Sequence, residues 1–455
     1  MSNKITYQNI NNIYFLGIGG IGMSALARYF NANGKNVKGY DKTPSPLTDK
    51  LIAEGIEICF EDDINLLDKE TDLVVYTPAI PKDHKQYHWY LDNKYEVRKR
   101  SYVLGLITQD TFCIAVAGSH GKTTVSSMIA HILNETIGCT AFLGGIVNNF
   151  ESNYINSNSE IVVVEADEYD KSFMTLKPNI AVVTSVDTDH LDIYGSFENI
   201  VKEFRDFARL LGKDGVLIEH SSIEHLDLNT EVSTLSYGLE EGQVEIITYD
   251  IEDGKYYFDV DFFFEEILGF ELALPGTHNM ENALAAIAVA KSMEIKNEDI
   301  VKALASFKGI YRRFEKRVET ENLVYIDDYA HHPNEVKALL NSVKEMYPES
   351  EVTAIFQPHL FSRTKDLAVE FAEQLSIADQ VVLMPIYPAR ELPMEGVTSS
   401  LILDKVSHKN KQIVEKEELL DFVKKNIKPN KKQVILTIGA GDIDRFINPI
   451  TDLLK

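Results

Sequence analysis

An apolar run at residues 112–117 stops at Gly118, Ser119, His120, Gly121, Lys122, Thr123 and Thr124, beyond which apolar side chains recur at helical spacing: Val125, Met128, Ile129, Ile132 and Leu133. A strand, a glycine-bearing loop and a helix in immediate succession commit the chain to an α/β layout, with a parallel strand feeding a helix N-terminus. Backbone amides of such a loop can cradle phosphate, Lys122 can meet β- and γ-phosphates, and the Thr123 hydroxyl can ligate Mg²⁺. The segment departs from the usual phosphate-loop spacing, because Val116 stands where a further glycine belongs. A glycine-rich turn with a solvated lysine is the plainer alternative, and the strand and helix on either side weigh against it.

The same succession opens the chain. Residues 13–16 are apolar, glycines follow at 17, 19, 20 and 22, and residues 23–30 read as a helix. Short strands at 37–40 and 73–76 fill out a small Rossmann-like N-terminal domain, residues 1–108. Nearly all-apolar strands at 161–164 and 180–184 suit a parallel sheet covered on both faces, which makes residues 109–314 a central P-loop ATPase-type domain. Strands at 323–326, 352–356, 380–384 and 434–438 alternate with amphipathic helices in a third, C-terminal Rossmann-like α/β domain, residues 315–455, behind an arginine-bearing junction at 309–317. A length of 455 residues exceeds what one core supports and accords with three domains.

Charge and cysteines narrow the class further. Acidic residues outnumber basic ones 70 to 45, and with no basic tract nucleic acid is excluded as a partner. A nucleotide is not, because local amides and a few cations outweigh a distant, screened field. Cys59, Cys113 and Cys139 show neither a disulfide framework nor metal spacing, which fits a reducing cytosol. The polar N-terminus and the lack of a long apolar stretch predict a cytoplasmic protein with no membrane partner.

Further clusters could carry chemistry. Glu165 to Asp170 follows one apolar strand, and Asp187, Asp189 and His190 follow another. Carboxylates and an imidazole there could hold a divalent metal beside ATP phosphates, and Glu165 and His190 are the best candidates; solvated loop acids or helix caps are the alternative. Gly17, Gly19 and Gly22, with Asp41 ending the next strand, permit a dinucleotide or another nucleotide diphosphate, or only a structural turn. His278, Asn279 and Asn282 open a long apolar helix, where they could read an adenine edge or merely cap it. Arg312 and Arg313, then Asp327, Asp328, Tyr329, His331 and His332, then His359 and Arg363, suit structural or substrate contacts better than metal.

Taken in order, GIGGIGMS (17–24), GSHGKTT (118–124), EADEYDKSF (165–173), DTDHLDIYG (187–195), GTHNMENALAA (276–286), RRFE (312–315), DDYAHHPNEV (327–336) and QPHLFSRT (357–364) resemble the Mur ligase family over essentially the whole chain. The first and seventh blocks are most similar to the branch that joins L-alanine to UDP-N-acetylmuramate. The resemblance implies an ATP- and Mg²⁺-dependent amide ligase, monomeric or homodimeric, working through an acyl phosphate. It implies UDP-sugar binding by Gly19, Gly20, Ile21, Gly22, Met23 and Ser24, with Asp41, and ATP phosphates on Gly118, Ser119, His120, Gly121, Lys122, Thr123 and Thr124. Mg²⁺ falls to Thr123, Glu165 and His190, adenine to His278, Asn279 and Asn282, and ATP closure to Arg313 and Asp327. His331, His359 and Arg363 would face the amino acid, and Lys122, Glu165, His190 and Arg313 form the catalytic set. Leu360 is a departure, since many relatives carry arginine there. Rival readings are a nicotinamide oxidoreductase, which leaves GSHGKTT unexplained, and a UDP-sugar sensor, which leaves the acid and histidine clusters idle.

Overall fold

The structure, a computed structural model, describes residues 10–187, 194, 196–223, 232–252, 254–389, 391–428 and 431–455. The first sheet holds β1 (Asn12–Leu16), β2 (Asn36–Tyr40), β3 (Glu57–Cys59), β4 (Leu73–Tyr76) and β5 (Val97–Lys99), in the order β3-β2-β1-β4-β5 with every pairing parallel. β1 is central because its side chains have no wet face: Phe15 and Leu16 are completely buried. At its end Gly17 adopts φ +85, and the N–H groups of Gly17 and Ile18 both donate to Tyr40 O. That turn delivers the chain to α1 (Ile21–Ala32) at the point where strand order reverses, the usual place for a ligand crevice. α2 (Pro46–Ala53), α3 (Lys85–Asp92) and α4 (Arg100–Gln109) complete this layer. The polar stretch around His84 and His88 is α3, with the His84 side chain accepting from Tyr87 N at its start.

The second sheet has ten strands: β6 (Phe112–Ala117), β7 (Thr140–Val147), β8 (Ser152–Asn156), β9 (Ile161–Glu165), β10 (Ile180–Val183), β11 (Val216–His220), β12 (Ser233–Gly238), β13 (Val244–Glu252), β14 (Lys255–Phe262) and β15 (Glu265–Leu272). Their order is β15-β14-β13-β12-β11-β10-β6-β9-β7-β8, so β6, buried from Cys113 to Ala117, lies between β10 and β9. α5 (Lys122–Thr136) packs beside α7 (Thr277–Ser292), while α6 (Phe197–Ala208) turns Ile200, Phe204 and Phe207 into the core, where Phe207 stacks on Phe173 at 5.0 Å. β13 to β15 escape a reading by periodicity because exposed Ile247, Tyr249, Tyr257 and Leu268 blur the alternation of buried and wet positions.

The third sheet runs β16-β17-β21-β18-β19-β20, from β16 (Glu315–Glu319), β17 (Leu323–Asp328), β18 (Glu351–Phe356), β19 (Gln380–Leu383), β20 (Lys411–Ile413) and β21 (Gln433–Ile438). Only β16 is antiparallel to its neighbour. α8 (Asn297–Ala305) precedes this sheet, α9 (Pro333–Met346) follows β17, and α10 (Phe361–Asp366) follows β18. Two compact units result: one holds the chain to residue 249 with 258–271 and 277–308, the other 250–257, 272–276 and 309–455. Among the described residues the cysteines are free, and no helix is long and apolar enough to cross a membrane.

Candidate active site

The loop after β6 owes its shape to two glycines. Gly118 has φ +142, and a methyl there would lie 2.0 Å from Thr184 Oγ1; Gly121, at φ +80, is the residue from which α5 starts. The loop is tied to the end of β10: Ser119 N donates to Ser185 O (3.0 Å), His120 N to Ser185 Oγ (2.9 Å) and Asp187 N to Ser119 Oγ (2.9 Å). His120 is exposed, its Nε2 3.5 Å from Asp187 Oδ2. Lys122, in the first turn of α5, folds back so that Nζ donates to Gly118 O (2.6 Å), Ser119 O (3.3 Å) and Glu168 Oε1 (2.8 Å). An ammonium held by two carbonyls and one carboxylate can exchange them for phosphate oxygens. Thr124 is half-buried in the same turn.

Thr123 and Glu165 are brought together across the sheet. Thr123 Oγ1 donates to Glu165 Oε1 at 3.0 Å, and Gly144 N donates to Glu165 Oε2 at 2.9 Å. Burial pushes the Glu165 and Glu168 carboxyls above their ordinary pKa, with Lys122 as the main opposing influence on each. A carboxylate and a hydroxyl at the mouth of a phosphate loop suit a hard divalent ion that takes its remaining oxygens from phosphate and water. Among the described residues no group of three or more His, Cys, Asp or Glu side chains could hold a metal by itself. His190 lies outside the described residues. At the start of α7, Asn279 is buried and accepts from Asn282 Nδ2 (3.1 Å), while Asn282 Oδ1 sits where a methyl on Gly121 would come within 2.6 Å. His278, next to Asn279, is exposed.

At the first glycine loop, Gly19 N donates to Asp41 Oδ2 (2.7 Å), and Thr43 N donates to the other oxygen (3.2 Å), so Asp41 shapes the loop. Gly20 and Ile21 stand at the exposed start of α1. The side chains of Met23 and Ser24 are buried: Ser24 Oγ donates to Ile21 O and accepts from Asn153 Nδ2, and Met23 joins the core. Arg100, from the start of α4, lies across Gly22, where a methyl would come 2.8 Å from Nη1. It supplies the cation that the glycine pattern itself lacks.

In the C-terminal unit, Arg312 at φ +60 turns its guanidinium inward to Asp327 (Nε to Oδ2, 2.9 Å) and Gly439 O (2.6 Å). Asp327 is completely buried and also accepts from Thr437 Oγ1 (2.6 Å), so both of its carboxylate oxygens have partners within this unit. Arg313 stays exposed, 5.6 Å over the Tyr329 ring. Its neighbour Asp328 accepts from Phe314 N and Ala330 N and is pushed by burial up to about 6, with Arg313 pulling the other way. His331, His359 and Arg363 do converge: the two imidazole centroids are 6.2 Å apart, and Arg363 Nη1 is 3.4 Å from His331 O. Leu360, at φ +71, begins the turn into α10.

Sequence reasoning gave no role to Glu168, Gly144, Arg100, Asn153 or Glu335. Glu168 stood inside a recognised acidic block, and Glu335 lies four residues from His331 at helical spacing. The others gave no local signal, because partners such as Arg100 and Gly22 are far apart along the chain.

Three family models match the chain in succession: "Mur ligase family, catalytic domain" over residues 12–111, "Mur ligase middle domain" over 116–290, and "Mur ligase, glutamate ligase domain" over 312–441. A UDP-N-acetylmuramate–L-alanine ligase of Flavobacterium psychrophilum is 51% identical over 443 residues, covering 96% of this chain and 97% of its own length. The protein of that name from Porphyromonas gingivalis is 48% identical, with 98% and 99% covered. Among solved structures, the UDP-N-acetylmuramate–alanine ligase of Thermotoga maritima superposes with a TM-score of 0.83 at 29% identity, covering 97% of this chain and 98% of its own. A murein peptide ligase of Psychrobacter arcticus shares the fold, with a TM-score of 0.69 at 22% identity and 98% of each chain covered. A phosphate loop backed by two acids, set in a chain that matches such relatives from end to end, leaves one conclusion: the chain belongs to the Mur ligase family.

Proposed function

We propose that this chain joins L-alanine to the lactyl carboxylate of UDP-N-acetylmuramate, using ATP, in the cytoplasmic synthesis of peptidoglycan precursors. The observation that carries the reading is the pairing of Lys122, folded onto its own loop, with the Thr123–Glu165 oxygen pair beside it. That pairing suits transfer of a phosphoryl group, and the named relatives supply the substrates. Residues 1–108 are assigned to the UDP-sugar, 109–314 to ATP and 315–455 to the amino acid. Thr123 and Glu165, with His190, would hold Mg²⁺, which when bound neutralises charge on the phosphates.

A carboxylate is a poor electrophile and must first be activated. Its oxygen attacks the γ-phosphorus, ADP departs, and an acyl phosphate forms. Lys122 exchanges its carbonyl partners for phosphate oxygens and neutralises the charge that repels the incoming carboxylate. Asn279 and Asn282, beside the loop, bind the adenosine end, while Gly19, Gly20 and Gly22 let the UDP-sugar approach α1 closely, under Arg100. The amino group of L-alanine then attacks the acyl carbon and phosphate leaves.

The test is phosphate release and product mass with MgATP, UDP-N-acetylmuramate and L-alanine, each component omitted in turn. A product heavier by one alanyl residue, requiring every component, is expected. Preference for a tripeptide acceptor over L-alanine would move the chain to the recycling branch, and no turnover with either would remove the ligase reading.

A further inference from the structure

An amino acid near neutral pH carries an ammonium group, which has no lone pair for attack, so amide formation requires a base at the amine. In the C-terminal unit, His331 lies just beyond β17, with Nδ1 3.1 Å from Tyr329 O. A carbonyl oxygen only accepts, so Nδ1 carries the hydrogen and Nε2 holds the lone pair of the neutral ring. Glu335, one turn into α9, is 3.4 Å from the same Nδ1. Its Oε2 also accepts from the N–H groups of His331 (2.8 Å) and His332 (3.1 Å), which fixes the carboxylate against the imidazole. The histidine side chain keeps 25% of its surface, so the ring is held without being sealed off. Arg363 on α10 and Arg313 on Tyr329 add two guanidinium groups, a fit for a carboxylate beside an amine.

We propose that His331 is the base that removes a proton from the ammonium of the incoming amino acid through Nε2, and that Glu335 is the positioning residue that holds it in the Nδ1–H tautomer. The proposal rests on the ligase reading above and adds to it the fate of the amine proton. The ammonium gives one proton to Nε2, the freed lone pair forms the C–N bond to the acyl carbon, and the carbon–oxygen bond to phosphate breaks with its electron pair on oxygen. The second nitrogen proton leaves with the phosphate, and the imidazolium returns its proton to water. Glu335 from α9, Arg363 from α10, Arg313 from the segment before β16, and Tyr329 and His359 at strand ends all face the ring. Burial, and then the two arginines, pull the imidazole below its ordinary pKa against Glu335 and Tyr329 O, so it stays neutral and basic at physiological pH.

The experiment compares wild type, His331→Gln and Glu335→Gln in two assays. Acyl phosphate made from ATP and UDP-N-acetylmuramate without amino acid is trapped by borohydride reduction, which reports folding and the first step. Amide formation is then followed against pH with L-alanine and with 3-chloro-L-alanine, whose ammonium is more acidic. Both variants are expected to form acyl phosphate at the wild-type level. His331→Gln should lose ~100-fold or more in kcat with L-alanine, lack the acidic limb of the wild-type pH profile, and recover part of the loss with the chlorinated amine. Glu335→Gln should lose less and move that limb to lower pH, because the carboxylate raises the affinity of the ring for protons. Loss of acyl phosphate together with amide, equal deficits for both amines, or a higher KM at unchanged kcat would each overturn the assignment. A wild-type enzyme inactive with L-alanine fails one step earlier, removing the ligase reading and this proposal with it.

Discussion

The loop between β1 and α1 and the loop between β6 and α5 both leave a central parallel strand and both end at a helix N-terminus, but they differ in what stands behind the glycines. In the first, only Gly17 has a positive φ; Gly20 enters α1 from extended backbone at φ −67, Asp41 holds Gly19 N, and the nearby cation, Arg100, comes from another helix. In the second, Gly118 and Gly121 both need positive φ, the cation belongs to the loop's own helix, and two acids, buried Glu168 and half-buried Glu165, lie against Lys122 and Thr123. A loop that only binds needs little more than small residues and amide groups. A loop that must manage moving phosphoryl charge needs a cation free to change partners and oxygen donors for a metal, so it carries buried charge.

Removing the cation is the largest blow to this contrast. Lys122→Ala is expected to lower amide formation by ~1000-fold or more while leaving UDP-sugar affinity unchanged, read by phosphate release and by titration calorimetry. Appreciable turnover in that variant would make the two loops equivalent. A smaller effect separates the glycines. A methyl at Gly118 meets Thr184 Oγ1 at 2.0 Å, whereas one at Gly20 meets nothing closer than 3.5 Å. Gly118→Ala should cost about 1–3 kcal/mol in thermal denaturation and weaken ATP binding, while Gly20→Ala should stay within about 0.5 kcal/mol of the parent. Equal losses at both positions would break the comparison.

Both loops were legible in the sequence because an apolar strand, a glycine cluster and a helical period lie within some twenty residues of each other, all local signals. Thr123 and Glu165 were legible as partners only through the acidic block that ends β9. The pairing of Glu168 with Lys122 was not, since 46 residues of sequence separate them. Arg100 over Gly22 and Asn153 under Ile21 arise from packing between layers, which no spacing rule encodes. In the C-terminal unit, the resemblance singled out Arg313 of two adjacent arginines, and the left-handed backbone at Arg312 sends that other side chain to Asp327 and leaves Arg313 exposed, a difference no spacing encodes. In sequence a strand-end acid looks the same whether its side chain meets a nucleotide or, as at Asp327, a buried arginine.

The borrowed cation of the first loop sharpens the contrast from the other side. Arg100→Ala should raise the KM for the UDP-sugar about 10-fold, the loss of one charge-assisted contact, and leave the KM for ATP unchanged. A shift in both constants would show that Arg100 supports the layer as a whole and does not serve the first loop alone.

The smallest effect concerns an acid in the second sheet that answers to neither loop. Glu219, on β11, is half-buried, and its Oε2 has no hydrogen-bond partner among the described residues. Burial pushes its carboxyl up to about 7. The folded protein therefore binds this proton more tightly than the unfolded chain does, whose glutamate titrates near ~4.3. Stability falls as pH rises between those two values and then levels off, because ionising the folded carboxylate is opposed by burial, with no cation among the described residues to offset it. Glu219→Gln removes the titration. Its melting temperature should match wild type at acidic pH and exceed it by a margin that opens up to about pH 7 and stays constant beyond. A margin of opposite sign would show that the carboxylate gains a cation when charged, and Glu219 would then belong with Glu165 and Glu168 as an acid whose charge the site uses.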